Sequence, residues 1–486
     1  MLIDLNAQFV RARELILKDD AQEKDVILAE NIFHALLNIE HAAFAPKTDN
    51  SQTLFYAAVA ANKRKHVALA KILYELSANV TENAFAKLAP LNNLAILLKS
   101  EGDKKSAAEV YRRILNECFP NGKLACEMEK ERAEVILNLG TCYVSNGTPQ
   151  IALDIFKDCE KILKDDPKLK WNKALCFLEK GDFERGFDLY QYGDGARPNK
   201  RNYPGEPTMW RGEAYTKVIV IGEQGIGDEI MFASCIPDLQ RIGCEVIFDC
   251  HERLADLFRN SFGIRCYGTR EQNGLRWEEK VDHKIPVGDL ARFFRKKWED
   301  FPGTPYIKHD ESLSQLIPEK KDDELWLGIS WRGGTRLSNK LSRTIKLTQM
   351  SPLLSLKSSK KIRWVSLQYH EGAKKEVEEF NQSSEVKIEH WPEIMKDYDL
   401  TAALLSKIDL VISVPQSVVH LAGAMGVKTL QLNPIESMWQ AGVYGNPVMP
   451  WYKSVTNLWQ TKNDSWDDVI EEAKTLTEEI LENKEC

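Results

Sequence analysis

The feature that most restricts the fold is the stretch Lys217–Asp228, KVIVIGEQGIGD. Four consecutive β-branched residues end at Gly222, and two further glycines, Gly225 and Gly227, come just before Asp228 and a helix-like apolar pattern. This order predicts a buried strand, a sharp turn and the start of a helix, with the glycines letting the chain reverse and a ligand approach the backbone. Unpaired N–H groups at the helix start favour a binding cleft there.

Composition limits the classes of protein to which the chain can belong. Its 486 residues suit roughly three domains, and a net charge of −7 argues against bulk binding to nucleic acid or anionic membranes. No apolar run approaches the roughly 20 residues of a membrane span, and Arg11, Arg13 and Glu14 stand where a signal peptide needs its apolar core. We therefore expect a cytoplasmic protein with no transmembrane segment. Ten cysteines without a C-x-x-C pair predict small buried side chains rather than a zinc cage or disulfides.

The first 192 residues contain an internal repeat. Small residues stand at Ala58, Ala95, Gly140 and Ala174, and each is followed twelve positions later by another small residue and sixteen positions later by an aromatic one. Successive units start 37, 45 and 34 residues apart. The register resembles that of tetratricopeptide repeats, in which small residues let paired helices cross and an aromatic ring fills the gap. Four units exceed the roughly three needed for a continuous core, and Asp4–Ala43 predicts one further helix pair.

The second half of the chain is organised differently. Proline and glycine are dense between residues 193 and 212, which predicts a linker after a repeat domain at 1–192. Apolar strand-like runs then alternate with helical stretches, which predicts parallel sheets covered on both faces. A polar segment at 302–323 divides this alternation. We therefore expect two Rossmann-like doubly wound domains, at 213–318 and 319–486, with ligands at the carboxyl ends of their strands.

The acids of the glycine-rich turn argue against a dinucleotide site. The motif G-x-G-x-x-G lacks its third glycine because Ile230 occupies that position. Carboxylates at Glu223 and Asp228 would repel a pyrophosphate, although Asp249 would suit a ribose. Asp228 is instead a candidate general base, held at a helix N-terminus in a cleft. The alternative is a first-turn acid that only stabilises the helix dipole.

A basic loop directly follows the predicted strand at 326–330. The segment WRGGTRLSNKLSRTIK at 331–346 contains five cations and no acid, namely Arg332, Arg336, Lys340, Arg343 and Lys346. Flexible glycines that carry cations at a strand end suit a diphosphate, because charge-assisted hydrogen bonds are strong. The alternative is an ordinary solvated loop.

A third set of candidates lies in ISVPQSVVHLAGAMG at 412–426. A buried strand ends near Ser413, and Gln416 and Ser417 stand where the N-cap of the next helix is expected. Their side chains and the free amides suit a second part of the anion. His420, one turn into the helix, is either a ligand contact or a structural histidine.

Two further motifs carry less information. The next strand-to-helix turn, at 432–440, either borders a nucleoside or is an ordinary loop. Asp397 and Asp399 form a D-x-D, but Asp399 suits the N-cap of a helix that begins near Thr401. No metal site is predicted.

Together these motifs resemble the catalytic half of bacterial tetratricopeptide-containing glycosyltransferases. The likeness is carried by WRGE at 210–213, GEQGIGDEIMFASCIPDL at 222–239, HKIPVGDLARFF at 283–294, GISW at 328–331, VSLQ at 365–368, and DLVISV with HLAGAMG within 409–426. This region is similar to the heptosyltransferase family, glycosyltransferase family nine, and more distantly to O-linked N-acetylglucosamine transferases.

The resemblance implies a GT-B fold and metal-independent, inverting transfer of a sugar from a nucleoside diphosphate donor, without a further cofactor. It implies that Asp228 is the base and that cations near Lys340 and Arg343 neutralise the donor diphosphate. The residues complete the predicted donor site with Arg332, Gln416, Ser417 and His420. One departure concerns the donor, since Pro415 and Gln416 stand where the family commonly has Asp-Thr.

Two functions follow as expectations. The first is a glycosyltransferase that acts on an acceptor hydroxyl, of a protein bound by the repeats or of a glycan. The second is a non-catalytic tetratricopeptide adaptor with a vestigial sugar-nucleotide-binding domain. The repeats present a concave surface to an extended peptide or partner protein, or they only scaffold or dimerise the chain.

Overall fold

The computed structural model describes residues 5–18, 22–40, 50–119, 128–145, 147–193, 203–270, 279–334, 342–370, 372–462 and 465–485. The chain divides into two compact units. The first contains Met1–Val144 and Gln150–Leu169, and the second contains Ser145–Pro149 and Lys170–Cys486.

The first unit is a stack of paired helices. These are α1 (Leu5–Leu17), α2 (Glu23–Glu40), α3 (Asn50–Lys63), α4 (Val67–Asn79), α5 (Ala84–Ser100), α6 (Lys104–Cys118), α7 (Glu129–Thr141) and α8 (Pro149–Glu160). α1 packs on α2, α3 on α4, and α5 on α6, so the predicted extra pair at the N-terminus is confirmed. Local side chains fix the helix starts: the carboxylate of Asp103 accepts from the amide of Ser106 at 3.0 Å and caps α6.

Burial confirms the predicted repeat register. Ala58, a small residue of a first helix, is completely buried, and the aromatic residues Tyr74, Tyr111 and Phe156 of the second helices are at most 2 % exposed. Gly140 has no side chain because the ring of Phe156 occupies the space. A Cβ at Gly140 would lie 2.3 Å from a ring carbon of Phe156. Small residues and aromatic rings therefore interlock as the repeat pattern requires.

The second unit contains a first sheet of five strands. They are β1 (Thr208–Met209), β2 (Lys217–Ile221), β3 (Glu245–Asp249), β4 (Arg265–Tyr267) and β5 (His283–Pro286). Their order is β1-β5-β2-β3-β4, and all pairs are parallel. The associated helices are α9 (Pro167–Glu179), α10 (Phe183–Tyr190), α11 (Ile226–Phe232), α12 (Ile236–Arg241), α13 (Ala255–Phe262) and α14 (Ala291–Phe294). The predicted strand, turn and helix start at 217–228 are confirmed.

A second sheet of six strands follows. They are β6 (Glu324–Ser330), β7 (Lys361–Ser366), β8 (Ile388–Glu389), β9 (Leu410–Ser413), β10 (Thr429–Asn433) and β11 (Val455–Trp459). The order β11-β10-β9-β6-β7-β8 is again entirely parallel. Its helices are α15 (Ser351–Leu354), α16 (Ala373–Ser383), α17 (Pro392–Lys396), α18 (Tyr398–Leu405), α19 (Ser417–Met425) and α20 (Asp467–Glu485). The prediction of two doubly wound parallel sheets is confirmed.

The helix α10, which belongs to the last predicted repeat, lies in the second unit. Its Phe187 packs edge to face against Phe232 of α11 and against Trp439 and Trp451 of the loops that flank β10 and β11. These aromatic contacts join α10 to both parts of the second unit. The division between compact units therefore falls near residue 170, one helix pair before the predicted linker at 193–212.

Two smaller findings refine the local predictions. The N-cap of α18 is Asp397, whose carboxylate accepts from the amides of Asp399 and Leu400, so the prediction that Asp399 caps this helix is wrong. Asp397 is the residue in extended conformation just before the helix, and Asp399 already lies in the first turn. Within the described residues, no helix combines the length and apolar character needed to cross a membrane.

Candidate functional site

The turn after β2 reverses at a residue that the sequence did not single out. Gln224 has a φ of 57°, in the left-handed region, whereas Gly225 has a φ of −86°. The side-chain amide of Gln224 donates a hydrogen bond to the hydroxyl of Tyr190 in α10. The expectation that the glycines reverse the chain is therefore wrong, because the left-handed position is held by a glutamine tied to α10.

The glycines of the turn instead admit close neighbours. A Cβ at Gly222 would lie 2.2 Å from a carboxylate oxygen of Glu229. A Cβ at Gly227 would lie 3.0 Å from the imidazole Cδ2 of His420 and 3.3 Å from the Cα of Ser417. Gly227 therefore lets the first turn of α11 lie directly against the first turn of α19. These helices follow strands of the first and the second sheet of the second unit, respectively.

Three of the acids near the turn have structural partners. The carboxyl group of Glu229 is fully buried and paired with Arg270, and burial raises its pKa to about 8. Asp249 accepts hydrogen bonds of 2.8 Å from the hydroxyls of Tyr203 and Thr269. Glu223 accepts a backbone hydrogen bond at 3.0 Å. Asp249 is thus held inside the first sheet rather than presented to a ribose.

Asp228 is the half-buried acid of the turn. Its Oδ2 accepts from the amide of Gly225 at 3.1 Å, which closes the first turn of α11. Its Oδ1 accepts from the side-chain amide of Gln440 at 2.9 Å. Burial raises the pKa of Asp228, while the hydrogen bonds from Gln440 and Gly225 and the charge of Arg343 act in the opposite direction. The result is a carboxylate of increased basicity, oriented by two fixed donors.

Arg332 and Arg343, two of the three described cations of the basic loop, differ in their surroundings. Arg332 makes an ion pair with Glu376 of α16, with nitrogen to oxygen distances of 2.7 and 3.0 Å. Arg343 is 5 % exposed, contacts the carbonyl of Pro415 at 3.5 Å, and lies close enough to Asp228 for the two charges to attract. Lys340, with Arg336, lies outside the described residues.

The start of α19 adds polar groups next to Arg343. Gln416 is the N-cap residue, and its side chain makes no capping hydrogen bond. The hydroxyl of Ser417 accepts from Tyr398 at 2.7 Å. His420 shares a hydrogen bond of 3.2 Å with the Tyr452 hydroxyl, and burial, with the nearby Arg343 charge, lowers its pKa to about 4. The imidazole is therefore neutral at ordinary pH.

The structure thus brings most of the predicted site residues together. Asp228, with Gly225 and Gly227, lies beside Arg343, Gln416, Ser417 and His420, whereas Arg332 is turned to Glu376. The sequence analysis missed Gln440 and Tyr452. Gln440 ends the strand-to-helix turn at 432–440, for which the sequence left open a nucleoside border or an ordinary loop. Nothing in the sequence indicated that Asp228 is its partner.

The architecture is that of a helical repeat followed by two doubly wound α/β sheets, as predicted for a tetratricopeptide solenoid joined to a GT-B fold. No protein-family model matches the chain. A curated protein, FlbA of Caulobacter vibrioides, is 24 % identical over 350 residues, which cover 64 % of this chain and 56 % of FlbA. The chain therefore spans little more than half the length of that relative.

Three solved structures to which the chain is similar are a family 9 glycosyl transferase, a heptosyltransferase and a tetratricopeptide repeat protein. The family 9 glycosyl transferase of Veillonella parvula is 10 % identical and covers 56 % of this chain and 98 % of its own, with a TM-score of 0.40. The E. coli ADP-heptose heptosyltransferase II is 11 % identical, covers 56 % and 100 %, and has a TM-score of 0.39. A tetratricopeptide repeat protein from Parabacteroides merdae is 15 % identical, covers 39 % and 66 %, and has a TM-score of 0.32.

Proposed function

We propose that the protein is a glycosyltransferase that moves a sugar from a nucleoside diphosphate sugar to an acceptor hydroxyl. The observation that carries this proposal is the contact of Asp228 with Gln440, beside the buried cation of Arg343. It places a basic carboxylate and a fixed positive charge together at the carboxyl ends of two parallel sheets, the edge where doubly wound folds bind ligands.

In the proposed reaction Asp228 is the general base. The acceptor hydroxyl gives its proton to the carboxylate as its oxygen bonds to the anomeric carbon of the sugar, and the bond from that carbon to the phosphate oxygen breaks. Attack from the face opposite the departing phosphate inverts the anomeric configuration. The raised pKa of Asp228 supports this role, because a stronger base takes the proton more readily.

The departing nucleoside diphosphate needs positive charge but no metal in this proposal. Arg343 supplies a fixed guanidinium, and the N-terminal end of α19, which begins at Ser417, adds partial positive charge. Lys340 is proposed to join them from the basic loop. Because His420 is neutral, it contributes hydrogen bonding rather than charge. Arg332 would then anchor the first residues of the basic loop through its ion pair with Glu376.

The repeats are proposed to bind the protein that carries the acceptor hydroxyl, or another protein partner. The paired helices of the first unit support this role, because such stacks offer an extended surface to a peptide. In the alternative, a non-catalytic adaptor, the second unit binds a sugar nucleotide without transferring the sugar, or binds no nucleotide.

Calorimetric titration of the full chain with UDP, GDP and ADP tests the proposal. We expect one of the three nucleotides to bind. Arg343→Gln should lower the affinity for that nucleotide by about tenfold or more, because the loss of one charge-assisted hydrogen bond has about this effect. Lys375→Gln is the control, because that side chain is 80 % exposed on α16. No binding by any of the three nucleotides would favour the adaptor, and unchanged affinity in the Arg343 variant would remove that residue from the donor site.

A further inference from the structure

Two glutamines beside Asp228 each have a buried carbonyl oxygen without a hydrogen-bond partner. Gln416 and Gln440 are both 7 % exposed, and the Oε1 atom of each is completely enclosed and unpaired. Buried polar atoms are nearly always hydrogen-bonded in folded proteins, so an unpaired one calls for an explanation. Here there are two. Gln440 is bonded to the candidate base, and Gln416 directly precedes Ser417, which lies against Gly227.

The orientation of the Gln440 carboxamide is determined by its neighbour. Its Nε2 donates to the Asp228 carboxylate at 2.9 Å. An ionised carboxylate can only accept, so the NH₂ group of Gln440 must face Asp228. The carbonyl oxygen is then directed away from that contact and is left as an acceptor.

The orientation of the Gln416 carboxamide is fixed in the same way. The hydroxyl of Ser413 donates its proton to the carbonyl of Val414 at 2.8 Å. It can therefore only accept from Gln416, whose Nε2 lies at 3.3 Å. A flipped amide would set two acceptors against each other, so the Oε1 atom of Gln416 is likewise the unpaired acceptor.

Both glutamines lie close to the residues that are proposed to hold the donor. Ser417, the neighbour of Gln416, lies against Gly227, the neighbour of Asp228. Arg343 contacts the carbonyl of Pro415 on the other side of Gln416. The site therefore contains two kinds of groups. Arg343 and the start of α19 suit an anion, whereas the two amide oxygens suit groups that donate hydrogen bonds.

We propose that Gln416 and Gln440 form a hydroxyl-recognition pair that selects an uncharged, hydroxyl-bearing sugar on the donor and disfavours one that carries a carboxylate. The inference rests on the proposed glycosyl transfer. Sugar hydroxyls are donors that would satisfy both amide oxygens. A carboxylate would instead face these two acceptors and the negative charge of Asp228, with no proton to offer them.

The test compares three probes by calorimetry on the full chain: UDP, UDP-glucose and UDP-glucuronate, with GDP-mannose and GDP-mannuronate as the equivalent pair if GDP is the nucleotide bound. We expect the neutral sugar nucleotide to bind at least about tenfold tighter than its acidic counterpart, because an unsatisfied buried acceptor strongly disfavours the wrong group. Gln416→Met, which keeps the volume but removes the carbonyl, should reduce that preference to about threefold or less.

Gln440→Met should act in the same direction, and Gln382→Met, at an exposed position of α16, is the control that should change nothing. Melting temperatures establish that each variant is folded. Equal binding of the neutral and acidic sugar nucleotides, or a preference that survives both Gln416→Met and Gln440→Met, would overturn the hydroxyl-recognition pair alone. Failure of every nucleotide and sugar nucleotide to bind would overturn the proposed function and this inference with it.

Discussion

The side-chain amide of Gln440 donates a 2.9 Å hydrogen bond to the carboxylate of Asp228 across 212 residues of sequence. Asp228 follows β2 of the first sheet, and Gln440 follows β10 of the second. The bond therefore links the carboxyl ends of the two sheets at the point where the candidate base lies. The other groups near Asp228, namely Arg343 and the start of α19, also belong to the second sheet.

The first prediction concerns the base itself. Asp228→Asn keeps the size of the side chain but removes its capacity to take a proton. We expect sugar transfer to slow by about a hundredfold or more, with nucleotide affinity nearly unchanged. Turnover with the donor found in the binding tests, measured beside calorimetry, separates the two effects.

The matched control is Asp256→Asn on α13, where the carboxylate is 71 % exposed. It should leave both turnover and binding as in the natural protein. Full turnover in the Asp228 variant would exclude this residue as the base.

The second prediction concerns the pH dependence of the reaction. The hydrogen bond from Gln440 favours the ionised form of Asp228 and so lowers a pKa that burial has raised. Gln440→Met removes that donor, and the pKa of Asp228 should rise further. Since only the ionised carboxylate acts as a base, the acidic limb of the pH profile of kcat/KM should move to higher pH.

A role for Gln440 only in packing would lower the rate equally at all pH values. A profile of unchanged position in the Gln440→Met variant would therefore show that the residue does not tune the base.

The third prediction concerns stability in acid. His420 has a folded-state pKa of about 4, below the ordinary value of 6.5, because burial and the nearby Arg343 disfavour its charged form. The unfolded chain therefore binds the proton more readily between these two values, and stability should fall as the pH drops from about 6.5 towards 4. The contribution of this one group is up to about 3 kcal/mol.

Denaturant unfolding at pH 7, 5.5 and 4.5 measures this dependence. His420→Gln should flatten the curve relative to the natural protein, whereas His34→Gln, at a side chain that is 45 % exposed, should not. Identical curves for the His420 variant and the natural protein would contradict the buried neutral imidazole.

The fourth prediction concerns the link from α10 to the catalytic turn. Tyr190 is completely buried, and its hydroxyl accepts from Gln224, the left-handed residue four positions before Asp228. Tyr190→Phe should cost about 0.5–1.5 kcal/mol of stability through the lost hydrogen bond. It should also slow turnover, since the turn that carries Asp228 loses its anchor, while nucleotide affinity is retained.

Tyr74→Phe provides the control, because Tyr74 is buried at the equivalent repeat position in the first unit. No change in turnover is expected there. Equal effects on turnover in the two variants would mean that the Tyr190 contact does not position the turn.

Much of the fold was predictable from local patterns. The strand of four β-branched residues before Gly222 and the repeated spacing from Ala58 to Tyr74 reflect burial of one face or one strand, which periodicity records directly. Four strands could not be predicted from such patterns. β1, β4 and β8 have only two or three residues, which are too few to set a pattern. β11 has a threonine and an asparagine among its apolar residues, which interrupt the pattern.

By itself the sequence determined the longer apolar strands and the repeat helices, that the sheets are parallel, and that Asp228, Gln416 and His420 stand at or within one turn of a strand-to-helix junction. These properties depend on neighbours a few residues apart. Only the tertiary structure decided that Arg332 pairs with Glu376, that Gly227 serves the approach of α19, and that Gln440 reaches Asp228. Which side chains become partners across the two sheets depends on how distant segments pack together. Such packing produces no periodic pattern in the sequence.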